Sequence, residues 1–190
     1  RQREFAQSID SMDNVARPAN YPPGQPGRGA IILETAGRQK VAVLNLLGRV
    51  FMDAVDCPFR TAMHQLETLR AQTPLVLVDM HAEATSEKVA LGWYLDGRCT
   101  AVVGTHTHVQ TADERVLPEG TAYITDVGMT GPFDSCIGVE YERVITRFVT
   151  GMPTEFRTAK KRPGMSAVLI TADPETGKAH AIERVVCVAE

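Results

Sequence analysis

Three of the five histidines stand at positions where they could bind a transition metal. His81 directly follows the apolar run of residues 74–80, and His106 and His108 follow a second apolar segment at about residues 100–103. Neighbouring strands lie about 4.8 Å apart and imidazole nitrogens bind metals at about 2.1 Å, so histidines at adjacent strand ends can share a cation. In an extended segment, residues two apart point to the same side, so His106 and His108 can bind one ion or two neighbouring ions. We therefore predict a metal site built from these three side chains.

Carboxylates flank these histidines in the sequence at Asp79, Glu83, Asp113 and Glu114. A carboxylate that accepts the second ring N–H of a histidine fixes the orientation of the ring and makes it a better ligand. Ordinary surface acids are commoner at such positions, and both interpretations stay open. The two other histidines, His64 in a predicted helix and His180 in a predicted terminal hairpin, are expected to lie outside the site.

The elements that carry the histidines are a strand, a helix and a second strand. The run PLVLVDM at residues 74–80 is apolar almost throughout, which is typical of a strand buried on both faces. A helix is predicted at about residues 86–95 and a strand at about residues 100–103. A crossover of this length makes the two strands parallel, so both histidine groups should lie at the carboxyl edge of one sheet. Open α/β sheets bind their ligands at this edge.

The rest of the chain adds further elements to the same domain. Residues 17–29 are rich in proline and glycine and predict an irregular loop. Antiparallel strand pairs are predicted for residues 30–34 with 40–46, 109–117 with 121–125, and 166–171 with 179–188. Helices are predicted at residues 3–12, 61–71 and 140–150 from apolar side chains at helical spacing. We expect residues 1–190 to form a single α/β domain.

The composition excludes several classes of protein. The 20 basic and 23 acidic side chains are scattered and give a net charge of −3, which argues against an extended nucleic-acid surface. No apolar run reaches the roughly 18 to 20 residues of a membrane span, and the first residues do not resemble a secretion signal. We therefore expect a cytoplasmic protein that does not bind membranes. The cysteines are widely spaced and are predicted to be free thiols, at Cys57, Cys99, Cys136 and Cys187.

Several motifs carry a resemblance to a known family. The sequence VVGTHTH at residues 102–108 resembles the last motif of the calcineurin-like metallophosphoesterases. The chain is similar to one bacterial branch of these enzymes, the YmdB-like 2′,3′-cyclic-nucleotide phosphodiesterases, in a longer set of segments. These segments are RPANYP at 17–22, NLLGRVFM at 45–52, DCPF at 56–59, DMHAEATSEK at 79–88, GTHTHVQTADER at 104–115 and TDVGMTGPFDS at 125–135. The resemblance extends over essentially the whole chain.

The resemblance implies a fold and a chemistry. The fold would be a metallophosphoesterase-type four-layer α-β-β-α sandwich with mixed sheets. Two metal ions, usually iron or manganese, would promote hydrolysis of small cyclic nucleotides, 2′,3′-cyclic and also 3′,5′-cyclic. His81 and His106 would bind one ion and His108 the other. A homo-oligomer is also expected.

The family's other motifs do not occur in this sequence. They supply an aspartate, a glutamate followed by asparagine, and an Asn-His pair, and by the family's order they would precede Arg1. The chain thus resembles the family's domain without its N-terminal part, and the His that donates a proton would lie upstream. We therefore expect no catalytic residue in this chain and almost no activity from the chain by itself. A mononuclear zinc hydrolase and a noncatalytic regulatory or RNA-binding derivative of the fold are the alternatives.

Polar residues in the matching segments are candidates for the substrate site. Thr107, Arg49 and Asn20 are predicted to contact substrate, and Arg17 and Asp126 are weaker candidates. Gly104 is expected to permit close approach of the backbone at the metal edge, because glycine has no Cβ.

Overall fold

The computed structural model describes residues 3–189 and contains four α-helices and nine strands within them. The helices are α1 (Arg3–Ser8), α2 (Pro58–Arg70), α3 (Thr85–Tyr94) and α4 (Tyr141–Thr150), and a 3₁₀ turn (Ile9–Ser11) follows α1. The strands are β1 (Ala30–Glu34), β2 (Lys40–Leu47), β3 (Val76–His81), β4 (Ala101–Thr105), β5 (Arg115–Val116), β6 (Ala122–Ile124), β7 (Thr130–Pro132), β8 (Pro163–Ala172) and β9 (Ala179–Val188).

A six-stranded mixed sheet has the order β1-β2-β3-β4-β6-β5. Strands β2, β3, β4 and β6 are parallel, and β1 and β5 pair antiparallel at the two edges. The predicted β1–β2 hairpin and the parallel pairing of β3 with β4 are confirmed. The side chains of Val76, Val78 and Met80 are fully buried, as expected for a strand inside a parallel sheet.

The predicted long antiparallel pair at residues 109–117 and 121–125 is wrong for most of its length. Only Arg115 and Val116 pair with β6. Before them, side-chain hydrogen bonds to the segment after β6 take the place of regular strand pairing. The amide of Asp126 donates to Thr111 Oγ1 at 3.0 Å, and the amide of Thr125 donates to Asp113 Oδ1 at 3.1 Å. The parallel pairing of β6 with β4 was not predicted, and it brings the segment after β6 to the same edge as the histidines.

Two apolar cores form on the two faces of the large sheet. One face packs against α2 and α3 through a cluster that includes Leu66, Leu91, Leu44, Val78 and Tyr123. The other face packs against the three-stranded antiparallel sheet β7-β8-β9, through Val103 and Ile124 of the large sheet and Ile182, Val168 and Ile170 of the smaller one. This packing confirms the predicted α/β fold with two sheets.

The cysteines and the helices of the described residues were also the subject of predictions. All four cysteines are free thiols, as predicted. Burial raises the pKa of Cys99 to about 12, so this thiol has a packing role. Among residues 3–189, no helix is long and apolar enough to cross a bilayer.

Candidate active site

His81 and His106 meet at the carboxyl edge of the large sheet. His81 is the last residue of β3 and pairs in register with Thr105, the last residue of β4, so His106 follows directly beside it. The Nδ1 atom of His106 lies 3.2 Å from the Nε2 atom of His81. The ring centroids are 4.9 Å apart, with an interplanar angle of 73°. The parallel crossover thus brings these two imidazoles together as the sequence predicted.

The partners of the two rings determine which nitrogens carry hydrogen. The Thr105 hydroxyl donates to Asp79 Oδ1 at 3.1 Å, so its oxygen accepts from His81 Nδ1, also at 3.1 Å. On the second ring, His106 Nε2 faces Glu83 Oε2 at 2.5 Å and donates to it. In the neutral rings both N–H groups therefore point away from the contact, and two nitrogen lone pairs face each other.

The electrostatics at this position favour the neutral form of the His81 ring. Burial, and next the neighbouring His106 ring, lower the pKa of His81 below its usual range. Burial also raises the pKa of Asp79, although hydrogen bonds from Thr105 and Asn45 act in the opposite direction. Two facing lone pairs repel each other, so this pair is suited to bind a cation.

His108 lies apart from this pair in conformation and partners. The expectation that residues 106 and 108 are extended is wrong, because β4 ends at Thr105 and the φ angles are 130° at His106 and 64° at His108. The Nδ1 atom of His108 donates to the carbonyl of Ile137 at 3.0 Å, which leaves Nε2 as its acceptor nitrogen. Alternation along a strand does not apply to such a backbone, so the two histidines need not face the same side.

The described part of the chain does not contain a complete metal cage. Within residues 3–189, no group of three or more His, Cys, Asp or Glu side chains converges closely enough to hold a metal ion. The His81–His106 pair is thus the assembled part of the predicted three-histidine site, with Glu83 and Thr105 as the partners that orient it.

A buried ion pair supports the loop that carries the histidines. Lys88 on α3 and Asp126 after β6 are 3.2 Å apart, and both side chains are 0% exposed. Lys88 Nζ also donates to the carbonyl of Thr105 at 3.2 Å, and Asp126 accepts from the amides of Thr107 and Gly128. Asp126 therefore fixes the histidine loop through the hydrogen bond from the Thr107 amide and through the ion pair with Lys88. Backbone strain at His106 and His108 can persist because these bonds fix the loop.

Lys88 was not singled out by the sequence reasoning. A signal was present, because Lys88 and Leu91 are three residues apart and so share one face of α3, which is the buried face. A lysine on the inward face of a helix needs a buried acceptor. The identity of that acceptor, 38 residues away, is set by the tertiary structure.

Gly104 has the predicted role of allowing close approach. A Cβ atom at this position would collide with the carbonyl of Thr125 on the neighbouring segment and lie 2.7 Å from Lys88 Cδ. Because Val127 donates to the Gly104 carbonyl at 2.9 Å, the backbones here are held in contact. The absence of a side chain thus lets β4, β6 and the buried lysine pack together.

A second buried carboxylate fixes the loop after β2. Glu87, which is 8% exposed, accepts from the Arg49 amide at 3.1 Å and from the Val50 amide at 3.4 Å. The Gly48 amide donates to the His81 carbonyl at 2.8 Å, so this loop is tied directly to the end of β3. The Arg49 side chain itself is exposed.

The predicted substrate contacts occupy different environments. Thr107 is exposed next to His106, and its hydroxyl donates to the Val109 carbonyl at 3.0 Å. Asn20 lies elsewhere than expected: it is 1% exposed, and its amide NH₂ donates to the carbonyls of Leu47 and Asp56. Its side chain is therefore turned to the backbone of β2 and the loop before α2. Arg17 likewise donates to loop carbonyls, those of Pro18, Gln25 and Pro26.

Of the remaining acids and histidines, some contact the His81–His106 pair and the others lie elsewhere. Asp113 contacts Thr111 and Thr125, and Glu114 pairs with Arg184 at 2.8 Å, so the structure gives both partners other than histidines. Asp79 and Glu83 are the flanking acids connected to the histidine pair. His64 on α2 and His180 on β9 belong to other parts of the fold, as expected.

A cleft of about 660 Å³ opens beside His81. The ends of β2 and β3 and two loops line it. The lining residues are Pro18, Tyr21, Asn45, Leu47, Phe51, Met52, Asp53, Asp79 and His81. A ligand of nucleotide size could therefore reach the histidine pair from this side.

Two packed sheets with paired histidines at a carboxyl edge define an α/β fold of the metallophosphoesterase type. Solved structures agree with this assignment. A hypothetical protein from Thermus thermophilus superposes with a TM-score of 0.89 at 45% identity, covering 100% of this chain and 73% of that protein. A novel phosphatase from Mycoplasma pneumoniae gives a TM-score of 0.87 at 34% identity, covering 98% and 68%.

Sequence comparison gives the family. The model of the YmdB-like proteins matches residues 1–185. The 2′,3′-cyclic-nucleotide 2′-phosphodiesterase of Bacillus subtilis is 51% identical over 183 residues, which are 96% of this chain and 69% of that protein. A putative phosphatase/phosphodiesterase of Mycoplasma pneumoniae is 40% identical over 158 residues, 80% of this chain and 54% of that protein. The chain belongs to the YmdB-like family, as its motifs predicted.

Proposed function

We propose that this chain is part of a metal-dependent phosphodiesterase that hydrolyses 2′,3′-cyclic nucleotides, and also 3′,5′-cyclic nucleotides, at a dinuclear centre. The B. subtilis relative, at 51% identity, bears the name of a 2′,3′-cyclic-nucleotide phosphodiesterase, which supports the substrate class. The histidine pair at the carboxyl edge supports the metal.

The observation that carries the proposal is the pair of facing nitrogens. Two ligand nitrogens at about 2.1 Å from one cation lie roughly 3.0 to 3.4 Å apart for coordination angles between 90° and 109°. The Nε2 atom of His81 and the Nδ1 atom of His106 are 3.2 Å apart. Because Thr105 and Glu83 accept the other N–H groups, neither facing nitrogen has a hydrogen to donate to the other while the rings are neutral. The donor set therefore fits a transition metal.

Each histidine has a distinct role in this proposal. His81 and His106 hold one ion, and His108 offers Nε2 to a second ion while Ile137 orients its ring. Iron or manganese is the expected metal, with zinc as the alternative. When bound, the ions supply Lewis acidity at the phosphate. This chain contributes neutral ligands and the carboxylate of Glu83 that orients one of them.

Side chains around the pair position the substrate. The exposed Arg49 guanidinium lies on the loop tied to His81 and can pair with a phosphate oxygen. Thr107 offers a hydroxyl on the histidine loop. Asn20 acts indirectly in this proposal, because it joins the end of β2 to the Tyr21 loop through backbone hydrogen bonds.

Metal binding by the chain is the direct test. We expect Mn²⁺, titrated by electron paramagnetic resonance, to bind to the wild-type chain and to lose at least tenfold in affinity in His81→Ala and in His106→Ala. The matched controls are His64→Ala and His180→Ala, which should bind like the wild type because these residues lie on α2 and β9. Equal Mn²⁺ binding by all four variants would contradict the site. A single zinc per chain, with no binding of iron or manganese, would favour a mononuclear zinc hydrolase.

Hydrolysis is tested with the chain alone and with a fusion, since the chain matches 69% of the length of the B. subtilis relative. We expect the chain alone to turn over 2′,3′-cyclic AMP barely measurably. Joining it to the segment of the B. subtilis relative that it does not match should restore metal-dependent hydrolysis, and His106→Ala should abolish it. A fusion that binds two ions but hydrolyses neither 2′,3′- nor 3′,5′-cyclic AMP would overturn the proposed function.

An exposed apolar face on β8 favours self-association of the protein. Met165 and Leu169 lie on the face of β8 opposite the core residues Val168 and Ile170, and both are exposed. Apolar side chains on such a sheet face favour a homo-oligomer, which light scattering would detect. A cytoplasmic location stays a prediction from the sequence.

A further inference from the structure

Phe51 is an aromatic side chain that the core does not explain. It is 89% exposed, although burial of a phenyl ring is strongly favourable. The ring lines the same cleft as His81 and Asp79. An exposed aromatic at the rim of a polar cleft is positioned to contact a ligand.

The backbone at Phe51 is strained and firmly held. Its φ angle is 60°, in the left-handed region that bulky residues rarely adopt. The preceding residues are fixed by Glu87, which accepts from the Arg49 and Val50 amides, and the Met52 amide closes a turn on the Arg49 carbonyl at 3.3 Å. The loop is thus built to present the ring outward, since strain of this kind persists only where surrounding bonds impose it.

The cleft connects this ring to the candidate metal site. His81 forms one wall, so a phosphate bound at the histidine pair would leave the rest of its ligand in the cleft. The other lining residues combine the aromatic rings of Tyr21 and Phe51 with the polar side chains of Asn45 and Asp53. Such a surface suits a flat heteroaromatic group better than a bare sugar or an alkyl chain.

We propose that Phe51 is the stacking platform for the nucleobase of the substrate, so that this enzyme selects phosphodiesters that carry a purine or pyrimidine. The proposal rests on the proposed function, because it places the phosphate at the His81–His106 pair. Stacking uses the π-face that every base has, so the ring distinguishes nucleotides from base-free phosphodiesters without reading which base is present.

The test compares ligands with and without a base. Binding of 2′,3′-cyclic AMP and of methyl riboside 2′,3′-cyclic phosphate to the chain is measured by calorimetry in the presence of Mn²⁺. We expect Phe51→Leu to weaken binding of the cyclic AMP about tenfold and to leave binding of the base-free ligand unchanged. Phe51→Trp should retain or tighten binding of cyclic AMP. Phe148→Ala removes another highly exposed phenyl ring, on α4, and should change neither affinity.

A spectroscopic signature separates stacking from a structural role. With diamagnetic Zn²⁺ in place of Mn²⁺, the adenine H2 and H8 protons should shift upfield on binding to the wild-type chain, because they lie over the phenyl ring. The shift should disappear in Phe51→Leu and persist in Phe51→Tyr.

The outcomes also separate this proposal from the proposed function. If both ligands bind equally and Phe51→Leu affects neither, the stacking platform is wrong while the phosphate site stands. If neither ligand binds the wild-type chain or its fusion with the B. subtilis segment when Mn²⁺ is present, the proposed function fails and this inference fails with it.

Discussion

The histidine edge of the large sheet and the β8–β9 hairpin are stabilised in different ways. The hairpin has a continuous antiparallel register from Gly164 opposite Val188 to Ile170 opposite Ile182. At the histidine edge, by contrast, strand pairing ends at Thr105 and side chains bond the loops to one another. Lys88, Asp126 and Asp113 supply most of these bonds.

This difference shows where each region is sensitive to change. The backbone hydrogen bonds of a hairpin do not depend on which side chain occupies each position. Their contribution to stability is therefore spread over many residues. A buried polar network concentrates its contribution in a few groups, and removal of one leaves its partner without compensation. The histidine edge should therefore lose more stability than the hairpin for a single substitution.

The largest effect is expected from breaking the buried ion pair. Lys88→Met leaves the Asp126 charge buried without its cation, and we expect the free energy of unfolding to fall by about 3 to 5 kcal/mol. Urea denaturation followed by Trp93 fluorescence measures the change. The double variant Lys88→Met with Asp126→Asn removes both charges and should regain part of the loss.

An exposed ion pair provides the control for this prediction. Arg28 and Asp13 are 2.7 Å apart, closer than the buried pair, but both are largely exposed. Arg28→Met should therefore cost less than about 1 kcal/mol. If Lys88→Met also cost less than about 1 kcal/mol, burial of the ion pair would not make the histidine edge more sensitive to substitution than an exposed ion pair.

A smaller effect is expected from adding one methyl group at Gly104. Gly104→Ala forces β4 away from the Thr125 carbonyl and from Lys88, and we expect a loss of about 2 to 3 kcal/mol in the same denaturation experiment. In the β1–β2 turn, a Cβ atom added at Gly37 would lie 3.8 Å from its nearest neighbouring atom, Thr35 Oγ1. Gly37→Ala should change stability by less than about 1 kcal/mol in either direction, and a cost equal to that of Gly104→Ala would refute the close-approach argument.

The smallest effect is expected at Asp113 and depends on pH. Partial burial acts to raise the pKa of Asp113, but hydrogen bonds from Thr111 and Thr125 outweigh it and hold the pKa below its usual value of 3.8. The carboxylate therefore stabilises the fold fully above that value, and the contribution is lost as the pH falls through the lower folded-state pKa. We expect Asp113→Asn to cost about 1 kcal/mol at pH 7.

The pH dependence is the signature that checks this last prediction. The difference in stability between wild type and Asp113→Asn should shrink as the pH is lowered from about 5 towards the folded-state pKa. Asp173, in the β8–β9 turn, also has a lowered pKa, first because of the hydrogen bond from the Glu175 backbone. It is less buried than Asp113, so Asp173→Asn should have a smaller effect. A constant difference across the pH range would show that the Asp113 charge is not responsible.

Local patterns in the sequence were enough to predict the strands and the helix that position His81 and His106. An apolar run ending in His81, a helix and a second apolar run ending before His106 required a parallel crossover, and the paired rings follow from that crossover. The motifs also identified the family. These features are readable because each depends on residues close in sequence, where periodicity and chain connectivity limit the possible geometries.

Contacts between distant residues were decided by the tertiary structure alone. The pairing of Lys88 with Asp126, the parallel placement of β6 and the rotation of His108 towards Ile137 all join segments that sequence spacing does not relate. Extended alternation predicted that His106 and His108 share a side, but the loop beyond Thr105 adopts positive φ angles because buried charges and backbone amides hold it there. Residue types thus determined which chemistry is available, and packing determined which atoms meet, since burial makes each polar group take the partner that the fold places within reach.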